Sequence, residues 1–346
     1  MRESQNRVPN RSWRSVFLWP AIVEQRQQPA DIPAAHRFKS VRADLGGRCL
    51  YNPAPMKLRL ARWLLMLSGY LPLPLLHACG WLVGRVLWWI PNKLRAITLQ
   101  HLRLCLPELD DAQRRRIARQ SLGHMAMAVL EAPAIWFGPQ GRLRTWLKDP
   151  AAEAALRGAC ADGGTIVLCP HLGAWELAGM FCAAQGQITS LYKPQKGVFD
   201  QLILEGRQRL GARLVPTIGS GVKALLEALR QGEMIGVLPD HDPPPGAGVF
   251  APLFGIQAHT TELVSKLAAR TGAPVWFCYA ERLAFGRGFR LHVMPAPDGV
   301  ADKTQGVTAM NHGVEQCLRH LPQQYWWSYK RYRRRPPGQP DFYDEG

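Results

Sequence analysis

The sequence predicts an α/β fold in which helices cover a central sheet, preceded by a helical segment that anchors the chain to a membrane. From about residue 163 onward, short apolar runs alternate with helical patterns, which is typical of such sheets. Residues 63–84 contain no formally charged side chain, and 22 residues are enough to cross a bilayer. The chain of 346 residues is 47% hydrophobic, which argues against disorder and against a polytopic transporter.

Residues 1–55 show no sustained helical or strand period and are predicted to be a disordered leader. Their apolar stretch, residues 16–23, is interrupted by Pro20 and is short for the core of a signal peptide. The alternative is that Met56 is the working start and that the leader is an upstream extension. Both starts stay open at this stage.

A membrane anchor is predicted over residues 56–92. Pro72 and Pro74 weaken a straight span because proline removes helix hydrogen bonds and bends the axis. A single kinked span and a shallow interfacial hairpin therefore both fit, and a pair of helices buried in a soluble core is the alternative. Four indole rings would suit the headgroup region: Trp63, Trp81, Trp88 and Trp89.

The elements that follow the anchor can be placed in order. Residues 93–137 read as helices, with a loop and N-cap at 107–113 before an arginine-rich face that is usually just solvated. The predicted strands cover residues 165–169, 188–192, 214–216, 234–238 and 274–280, and the helices between them cover 175–183, 199–210, 221–230 and 261–270.

The formal charge of +17 predicts an anionic partner. Residues 1–55 contain nine basic and four acidic side chains, so the remaining chain still carries 34 minus 22, or +12. Nucleic acid, a membrane with acidic lipid and an acidic protein are the three candidates. The eight cysteines are scattered without a Cys-x-x-Cys pair, which favours reduced thiols over a disulfide framework or a zinc site.

The strongest local signal follows the first predicted strand, where His171 is separated from Glu176 by four residues. Catalytic groups collect at the carboxyl ends of strands in open α/β sheets. The two side chains can meet if His171 lies on a loop and Glu176 in the first helical turn. The carboxylate would then orient the imidazole, whose other nitrogen takes a proton from an attacking hydroxyl. A helix-dipole contact is the alternative explanation for Glu176.

Competing motifs are absent from the sequence. There is no Gly-x-Ser-x-Gly elbow, no Walker phosphate loop and no His-Glu-x-x-His helix, and residues 246–248 lack the rest of a dinucleotide fingerprint. Asp240, His241 and Asp242 could bind a metal, but no further ligands cluster near them. We therefore expect neither a metal nor a cofactor.

Taken together, the motifs from Met56 to about Arg335 resemble the bacterial lipid A biosynthesis acyltransferases, within the wider glycerolipid acyltransferase superfamily. His171 and Glu176 match the His-x4-Asp/Glu signature of these enzymes. Further segments match in family order: 192–194, 202–213, 238–240, 248–255, 267–274 and 326–332. His241 is a departure, because glutamine is expected after the aspartate. Residues 1–55 lie outside the resemblance.

The resemblance implies a central mixed sheet in an acyltransferase domain over residues 93–335, followed by a tail at 336–346. It implies transfer of an acyl chain from acyl carrier protein to a hydroxyl of a lipid A precursor, without a covalent enzyme intermediate. His171 would be the general base and Glu176 its orienting carboxylate. The other implied site residues are Arg207, Lys193, Arg213 and Asp240 for substrate binding, and Trp175, Phe250 and Phe254 for the acyl pocket.

The same resemblance gives the anionic partners identities: a phosphorylated Kdo-lipid A-type glycolipid, anionic inner-membrane lipid and acyl carrier protein. It implies a bacterial inner-membrane enzyme with its catalytic domain on the cytoplasmic face, and Lys330 to Arg335 as a docking strip. A lysophospholipid or an ornithine-type lipid stays open as the acceptor. A basic nucleic-acid-binding module is the distant alternative, suggested by aromatic residues beside that strip.

Overall fold

Residues 56–194 and 199–343 are described by the structure, a computed structural model. The predictions for residues 1–55 and for the end of the tail at 344–346 lie outside the described residues. Eleven helices are described: α1 Met56–Gly69, α2 Leu73–Trp89, α3 Lys93–Cys105, α4 Asp111–Phe137, α5 Gln140–Leu147, α6 Pro150–Ala159, α7 Trp175–Gln185, α8 Phe199–Arg207, α9 Gly219–Arg230, α10 Leu263–Thr271 and α11 Gly306–His320.

A six-stranded mixed sheet forms the centre of the fold. Its strands are β1 Thr165–Leu168, β2 Ile188–Tyr192, β3 Arg213–Pro216, β4 Met234–Val237, β7 Val275–Arg282 and β8 Phe289–Pro295. They lie in the order β3-β2-β4-β1-β7-β8, with the first five parallel and β8 antiparallel to β7. The helix-flanked mixed sheet of the sequence prediction is therefore confirmed.

Helices cover both faces of this sheet because the central strands are apolar on both sides. Alternate residues of β1 enter opposite clusters of buried side chains: Ile166 and Leu168 pack on one face, and Val167 packs on the other. The first cluster includes α9, α10 and α11, and the second includes α5, α6 and α7. Such continuous apolar runs are what a parallel strand buried on both faces requires.

A β-hairpin outside the main sheet was not predicted from the sequence. It consists of β5 Gly248–Leu253 and β6 Ile256–Thr261, paired antiparallel with Phe250 opposite His259. Pro252 lies inside β5, and proline normally argues against a strand. Here β5 has only β6 as a strand neighbour, so the missing N–H is tolerated. Strand β8 was missed as well.

The N-terminal helices α1 and α2 pack against the long helix α4. The backbones of α2 and α4 approach so closely that a Cβ on Gly84 would lie 2.4 Å from the Cα of Gly123, so only glycine fits there. No single helix among the described residues is long and apolar enough to cross a membrane. One bent pair, Arg62–Gly69 with Leu73–Trp89, passes that test when taken together, with an angle of 110° between its two parts.

The C-terminal segment is more buried than its basic composition suggests. The guanidinium of Arg331 is buried and donates to the His259 carbonyl at 2.7 Å, while Arg333 and Arg334 both bind Asp242. Three arginines of the docking strip expected at Lys330 to Arg335 are therefore engaged in internal contacts, and the docking role itself stays a prediction.

Candidate active site

The candidate active site begins at the carboxyl end of β1, which lies between β4 and β7 in the sheet. The loop after β1 is tied to β7, since the Ala174 N–H donates to the Ala280 carbonyl at 2.8 Å. Gly173 makes this approach possible. It has a φ of +59°, and a Cβ there would lie 2.0 Å from the Ala280 oxygen. The loop therefore presents His171 in a fixed position.

His171 is paired with the buried carboxylate of Asp240. The imidazole Nδ1 lies 3.0 Å from Asp240 Oδ1, and the backbone N–H of His171 donates to Asp240 Oδ2 at 3.1 Å. Asp240 follows β4, which is hydrogen-bonded directly to β1, so the two loops emerge side by side. Within the described part of the chain, no hydrogen bond engages His171 Nε2, and 12% of the side chain is exposed.

The electrostatics keep Asp240 ionised. Burial alone would raise its pKa, but the charge of His171 and the hydrogen bonds from His171 hold the pKa of Asp240 well below its usual range. Burial also raises the pKa of the neighbouring Tyr325, with the Asp240 charge acting in the same direction. A carboxylate that stays ionised can only accept, so the proton of the shared hydrogen bond belongs to Nδ1.

Glu176, in the first turn of α7, is engaged elsewhere. Its Oε1 accepts from Arg207 Nη2 at 2.5 Å, and its Oε2 accepts from Arg207 Nε and Trp136 Nε1, each at 3.0 Å. Burial would raise its pKa, but the Arg207 guanidinium outweighs that effect and lowers it. The carboxylate that contacts the imidazole of His171 is thus Asp240, whereas Glu176 orients Arg207. This corrects the expected His171–Glu176 contact.

His171 also lies at the end of a stack of rings. Its imidazole is parallel to that of His241 within 2°, with centroids 3.6 Å apart, and His241 in turn stacks on Tyr329 at 3.8 Å. Burial and the proximity of His171 hold the pKa of His241 well below its usual range, so His241 is neutral. Its Nε2 has no hydrogen-bond partner among the described residues.

His171, Asp240 and His241 also lie close enough together to be considered as a metal site. One ligand atom each from His171, Asp240 and His241 lies within 4.8 Å of the others. A histidine nitrogen binds a metal along its lone pair, in the plane of the ring. Two parallel rings stacked 3.6 Å apart direct their lone pairs along parallel planes, so these do not converge on one ion. The arrangement suits a stacked, hydrogen-bonded histidine better than a metal centre.

The predicted acyl-pocket residues occupy different places. Trp175 lies beside His171, with ring centroids 5.4 Å apart, and stacks on Trp326 at 5.1 Å. Phe250 lies on the hairpin against His259. Phe254 lies at the hairpin turn, where its described ring and cation contacts are with Trp327 and Arg319. Of these three predicted pocket residues, Trp175 is the one with a described ring contact to His171.

The two remaining cationic candidates, Lys193 and Arg213, lie at opposite ends of the strands. Lys193 follows the carboxyl end of β2 and is exposed at the same edge as His171. Arg213 is the first residue of β3, and its register partner is Thr189 near the start of β2. Arg213 therefore lies at the amino end of the parallel strands, whereas His171 lies at their carboxyl end, and the structure does not bring Arg213 to the site.

Sequence reasoning missed the contacts of Trp136, His241, Tyr329 and Trp326 with this site. Trp136 comes from α4, which precedes the first matched motif at His171. The sequence indicated His241 as a possible metal ligand and as a departure from the family pattern, and not as a ring neighbour of His171. The position of His241 next to Asp240 could have indicated a role near His171, but the stacking geometry could not be read from the sequence.

The fold is a mixed sheet covered by helices, with a histidine–carboxylate pair at the carboxyl ends of its strands and a second carboxylate held by arginine. This arrangement agrees with the acyltransferase class that the resemblance implies. The model of the bacterial lipid A biosynthesis acyltransferase family matches residues 57–334, and the chain belongs to this family.

Three relatives from Escherichia coli strain K12 illustrate the similarity. The lipid A biosynthesis lauroyltransferase is 28% identical over 81% of this chain and 92% of its own. The palmitoleoyltransferase is 25% identical over 79% of this chain and 90% of its own, and the myristoyltransferase is 28% identical over 77% and 82%. The predicted family is confirmed, and membership supports an acyltransferase that acts in the acylation of lipid A.

Proposed function

We propose that this protein transfers a fatty acyl chain from acyl carrier protein to a hydroxyl of a Kdo-lipid A-type precursor, with His171 as the general base. The observation that carries the proposal is the His171–Asp240 pair, whose hydrogen bond uses Nδ1 and leaves Nε2 without a described partner, so that in the neutral imidazole Nε2 can accept a proton. A sugar or acyl hydroxyl has a pKa far above neutrality and needs such a base to become a nucleophile.

In the proposed reaction, His171 Nε2 takes the proton of the acceptor hydroxyl as the oxygen attacks the thioester carbonyl. The tetrahedral intermediate carries a negative charge on the former carbonyl oxygen. It collapses by breaking the carbon–sulfur bond, and the imidazolium returns the proton to the thiolate of the carrier's prosthetic group. The ionised Asp240 stabilises the imidazolium in between and holds its tautomer.

Arg207 is the proposed donor for the oxyanion or for a phosphate of the acceptor. Glu176 holds it by two parallel hydrogen bonds, which fix the direction of the planar guanidinium. The Arg207 side chain stays 31% exposed, so part of it can contact a ligand. Positioned donors of this kind act in the transition state without reorganising. Glu176 thus serves the reaction through Arg207.

The acceptor is tested by an assay with the acyl carrier protein thioester and two lipids in parallel, Kdo-lipid A precursor and a lysophospholipid. Acylation of the lipid A precursor is the expected result. Acylation of the lysophospholipid alone would overturn the lipid A assignment, and ornithine lipid can be added as a third acceptor. Mass spectrometry of the product reports the acylated position and the chain length.

We further propose that α1 and α2 lie on the inner membrane as an interfacial hairpin. Their outward sides expose large apolar residues, among them Trp63 at 73%, Leu82 at 59% and Trp89 at 72%. The β7–β8 turn adds Phe285, which is 91% exposed. The next residue of this turn, Gly286, sits against Pro74 at the start of α2, so the turn and the helix border one surface. Exposed apolar patches of this kind mark membrane interfaces.

Substitution of Leu82 and Phe285 by serine tests this surface. We expect each change to weaken binding to vesicles of phosphatidylethanolamine and phosphatidylglycerol by about 10–150-fold, because burying one large apolar side chain contributes about 1.5–3 kcal/mol. Val249→Ser is the matched control, since Val249 is 39% exposed on β5, outside this surface. Equal losses in all three variants, or in none, would contradict the proposed orientation.

A further inference from the structure

A cavity between α2 and α4 is separate from the site around His171. Its volume is about 220 Å³, below the 300–1,000 Å³ typical of pockets for drug-sized ligands. Trp81 and Arg85 of α2 line one side, and Arg119, Gln120 and His124 of α4 line the other. This size suits a small headgroup better than an acyl chain or a whole glycolipid.

The lining of the cavity is cationic. Its two guanidiniums belong to Arg85 and Arg119, and the cavity has no acidic lining residue. Within residues 56–194 and 199–343, neither arginine forms an ion pair with a carboxylate. The guanidinium carbon of Arg85 lies 4.8 Å from the ring centroid of Trp81, which holds that charge over the indole. Two arginines without an acidic partner can recognise a phosphate group by charge and by parallel hydrogen bonds.

A neutral histidine completes the polar lining. His124 Nδ1 is buried and has no hydrogen-bond partner among the described residues. Burial, followed by the charge of Arg282, lowers the pKa of His124 to about 3, so the ring stays uncharged and keeps one N–H donor. The close glycine contact between Gly84 and Gly123 fixes the two helices on which these side chains stand. The cavity is therefore held open by packed backbone.

The position of the cavity indicates which phosphate it takes. Trp81 and Arg85 are one turn apart on α2 and border the exposed apolar stripe formed by Leu75, Leu82 and Val86. When that stripe lies at the boundary of the acyl chains, Arg85 and Arg119 lie at the depth of the headgroups, where indoles and arginines are favourable. A phospholipid phosphate can enter from the bilayer without leaving it.

We propose that the cavity between α2 and α4 binds the phosphate headgroup of an anionic phospholipid of the membrane on which the enzyme sits. This inference rests on the proposed interfacial hairpin and adds a specific lipid site to it. The bound phosphate joins α2 to α4 by contacting Arg85 on one helix and Arg119 on the other. The site is distinct from Arg207, which serves the acceptor at the sheet edge.

The test uses the full-length protein and its Arg85→Gln/Arg119→Gln variant, which keeps the side-chain length and loses two charges. The control is Arg115→Gln/Arg230→Gln, with the same change of net charge at exposed positions outside the cavity. Binding is measured to three kinds of vesicle: neutral phosphatidylcholine, phosphatidylcholine with phosphatidylglycerol, and phosphatidylcholine with oleate at the same surface charge. Soluble glycerol 3-phosphate is added as a competitor, and thermal unfolding checks the fold of each variant.

The wild type and the control are expected to prefer phosphatidylglycerol over oleate, whereas the cavity variant loses that preference. Because one basic residue near a membrane contributes about 1 kcal/mol, the pair should change binding to phosphatidylglycerol by about 25-fold. Competition by glycerol 3-phosphate would assign the site to the phosphate itself, and its absence would require the phosphate to be presented by a bilayer, so both results support the proposal.

Other outcomes overturn it. An equal loss in the control, or an unchanged preference in the cavity variant, would show that general charge and not the cavity recognises the lipid. If the cavity variant instead raises only the KM for acyl carrier protein, the cavity binds that acidic protein and not a lipid. Trp81→Leu gives an independent check if the double variant fails to fold. Failure of the wild type to bind any vesicle would contradict the membrane proposal itself, which is a distinguishable result.

Discussion

Two histidine–aspartate pairs lie close together on neighbouring segments, and they differ in what else each aspartate binds. Asp240 accepts from His171 at 3.0 Å, and no arginine is bound to it in the described part of the chain. Asp242, two residues further on, accepts from His259 at 2.8 Å and also from Arg333 and Arg334. The distance between imidazole and carboxylate is therefore a poor guide to function.

The two aspartates differ in which positive groups surround the carboxylate. The charge of Asp242 is neutralised by Arg333 and Arg334, so Asp242 would stabilise a positive charge on His259 only weakly. The cluster connects the C-terminal segment to β6. The charge of Asp240 is directed at His171, whose Nε2 is available. We expect only the second arrangement to stabilise an imidazolium during a reaction.

The largest expected effect separates the two aspartates. Asp240→Asn should lower kcat about 10²–10⁴-fold, because a neutral amide neither stabilises the imidazolium nor fixes its tautomer. His171→Ala should lower kcat at least as much. Asp242→Asn should change kcat by no more than about threefold but reduce the free energy of unfolding by about 1–2 kcal/mol, since it removes charged hydrogen bonds to arginines that are partly exposed.

Steady-state kinetics with acyl carrier protein thioester and chemical denaturation of each variant measure these effects. An Asp242→Asn enzyme that loses activity as completely as Asp240→Asn would remove the distinction between the two pairs.

A smaller effect is expected at Glu176 and Arg207. Arg207→Lys keeps the charge but cannot form the two parallel hydrogen bonds to Glu176, so we expect a loss of about 10–100-fold in kcat/KM. Glu176→Gln should cause a similar loss, because Arg207 is no longer held in one direction. The two changes together should cost little more than either alone. Additive losses would indicate that Glu176 acts on the reaction independently of Arg207.

The pH dependence of stability gives a third comparison. Burial would raise the pKa values of Asp240 and Asp242, but His171 in the first case, and Arg333 with His259 in the second, lower both. A carboxylate with a lowered folded pKa contributes stability above its unfolded pKa of about 3.9 and loses it as pH falls below that value. Removing either carboxylate should flatten the acid limb by up to about 1.4 kcal/mol per pH unit.

The buried His101 provides an internal reference at a higher pH. Burial lowers its pKa to about 4, which outweighs the hydrogen bond to the Trp327 carbonyl. Its unfolded pKa is about 6.5, so the unfolded state binds more protons between these values and stability falls as pH drops from about 6.5 to 4. Denaturation from pH 3 to 8 should resolve the two windows. His124 and His241, whose pKa values are also lowered by burial, contribute to the same upper window.

The smallest effect is expected at His241, which contacts the proposed general base His171 through its ring face. His241→Gln should lower kcat about two- to tenfold, because the His171 ring loses a flat neighbour at 3.6 Å while its hydrogen bond to Asp240 remains. His241→Phe keeps a ring and should restore most of the loss. A rate as low as that of Asp240→Asn, measured in the same assay, would make His241 a chemical participant.

The sequence predicts the parallel part of the sheet well because β1, β2 and β4 are apolar runs bounded by loops and helices. It misses β5, which contains Pro252 and pairs with β6 alone, and β8, which has no strict alternation of exposed and buried residues. The Asp110 cap of α4 was readable, because its capping box with Gln113 uses neighbours in sequence. Contacts between neighbours in sequence could thus be predicted, whereas the pairing of distant segments could not.

The same reasoning explains the error at Glu176. His171 and Glu176 are near each other in sequence, so the spacing favoured a direct contact. Asp240 is 69 residues away from His171 and becomes its partner because β4 pairs with β1. Arg207 reaches Glu176 from the end of α8, 31 residues further along the chain. Strand order decides both contacts, and the sequence does not reveal strand order.

The central claim is that Asp240, and not Glu176, acts through His171. A kinetic double-mutant cycle tests it most directly, with kcat/KM measured for His171→Ala, Asp240→Asn, Glu176→Gln and the two double variants that contain His171→Ala. We predict that Asp240→Asn has almost no further effect once His171 is alanine, whereas Glu176→Gln still lowers the residual rate about 10–100-fold. The opposite pattern, with Glu176 coupled to His171 and Asp240 independent of it, would contradict the account.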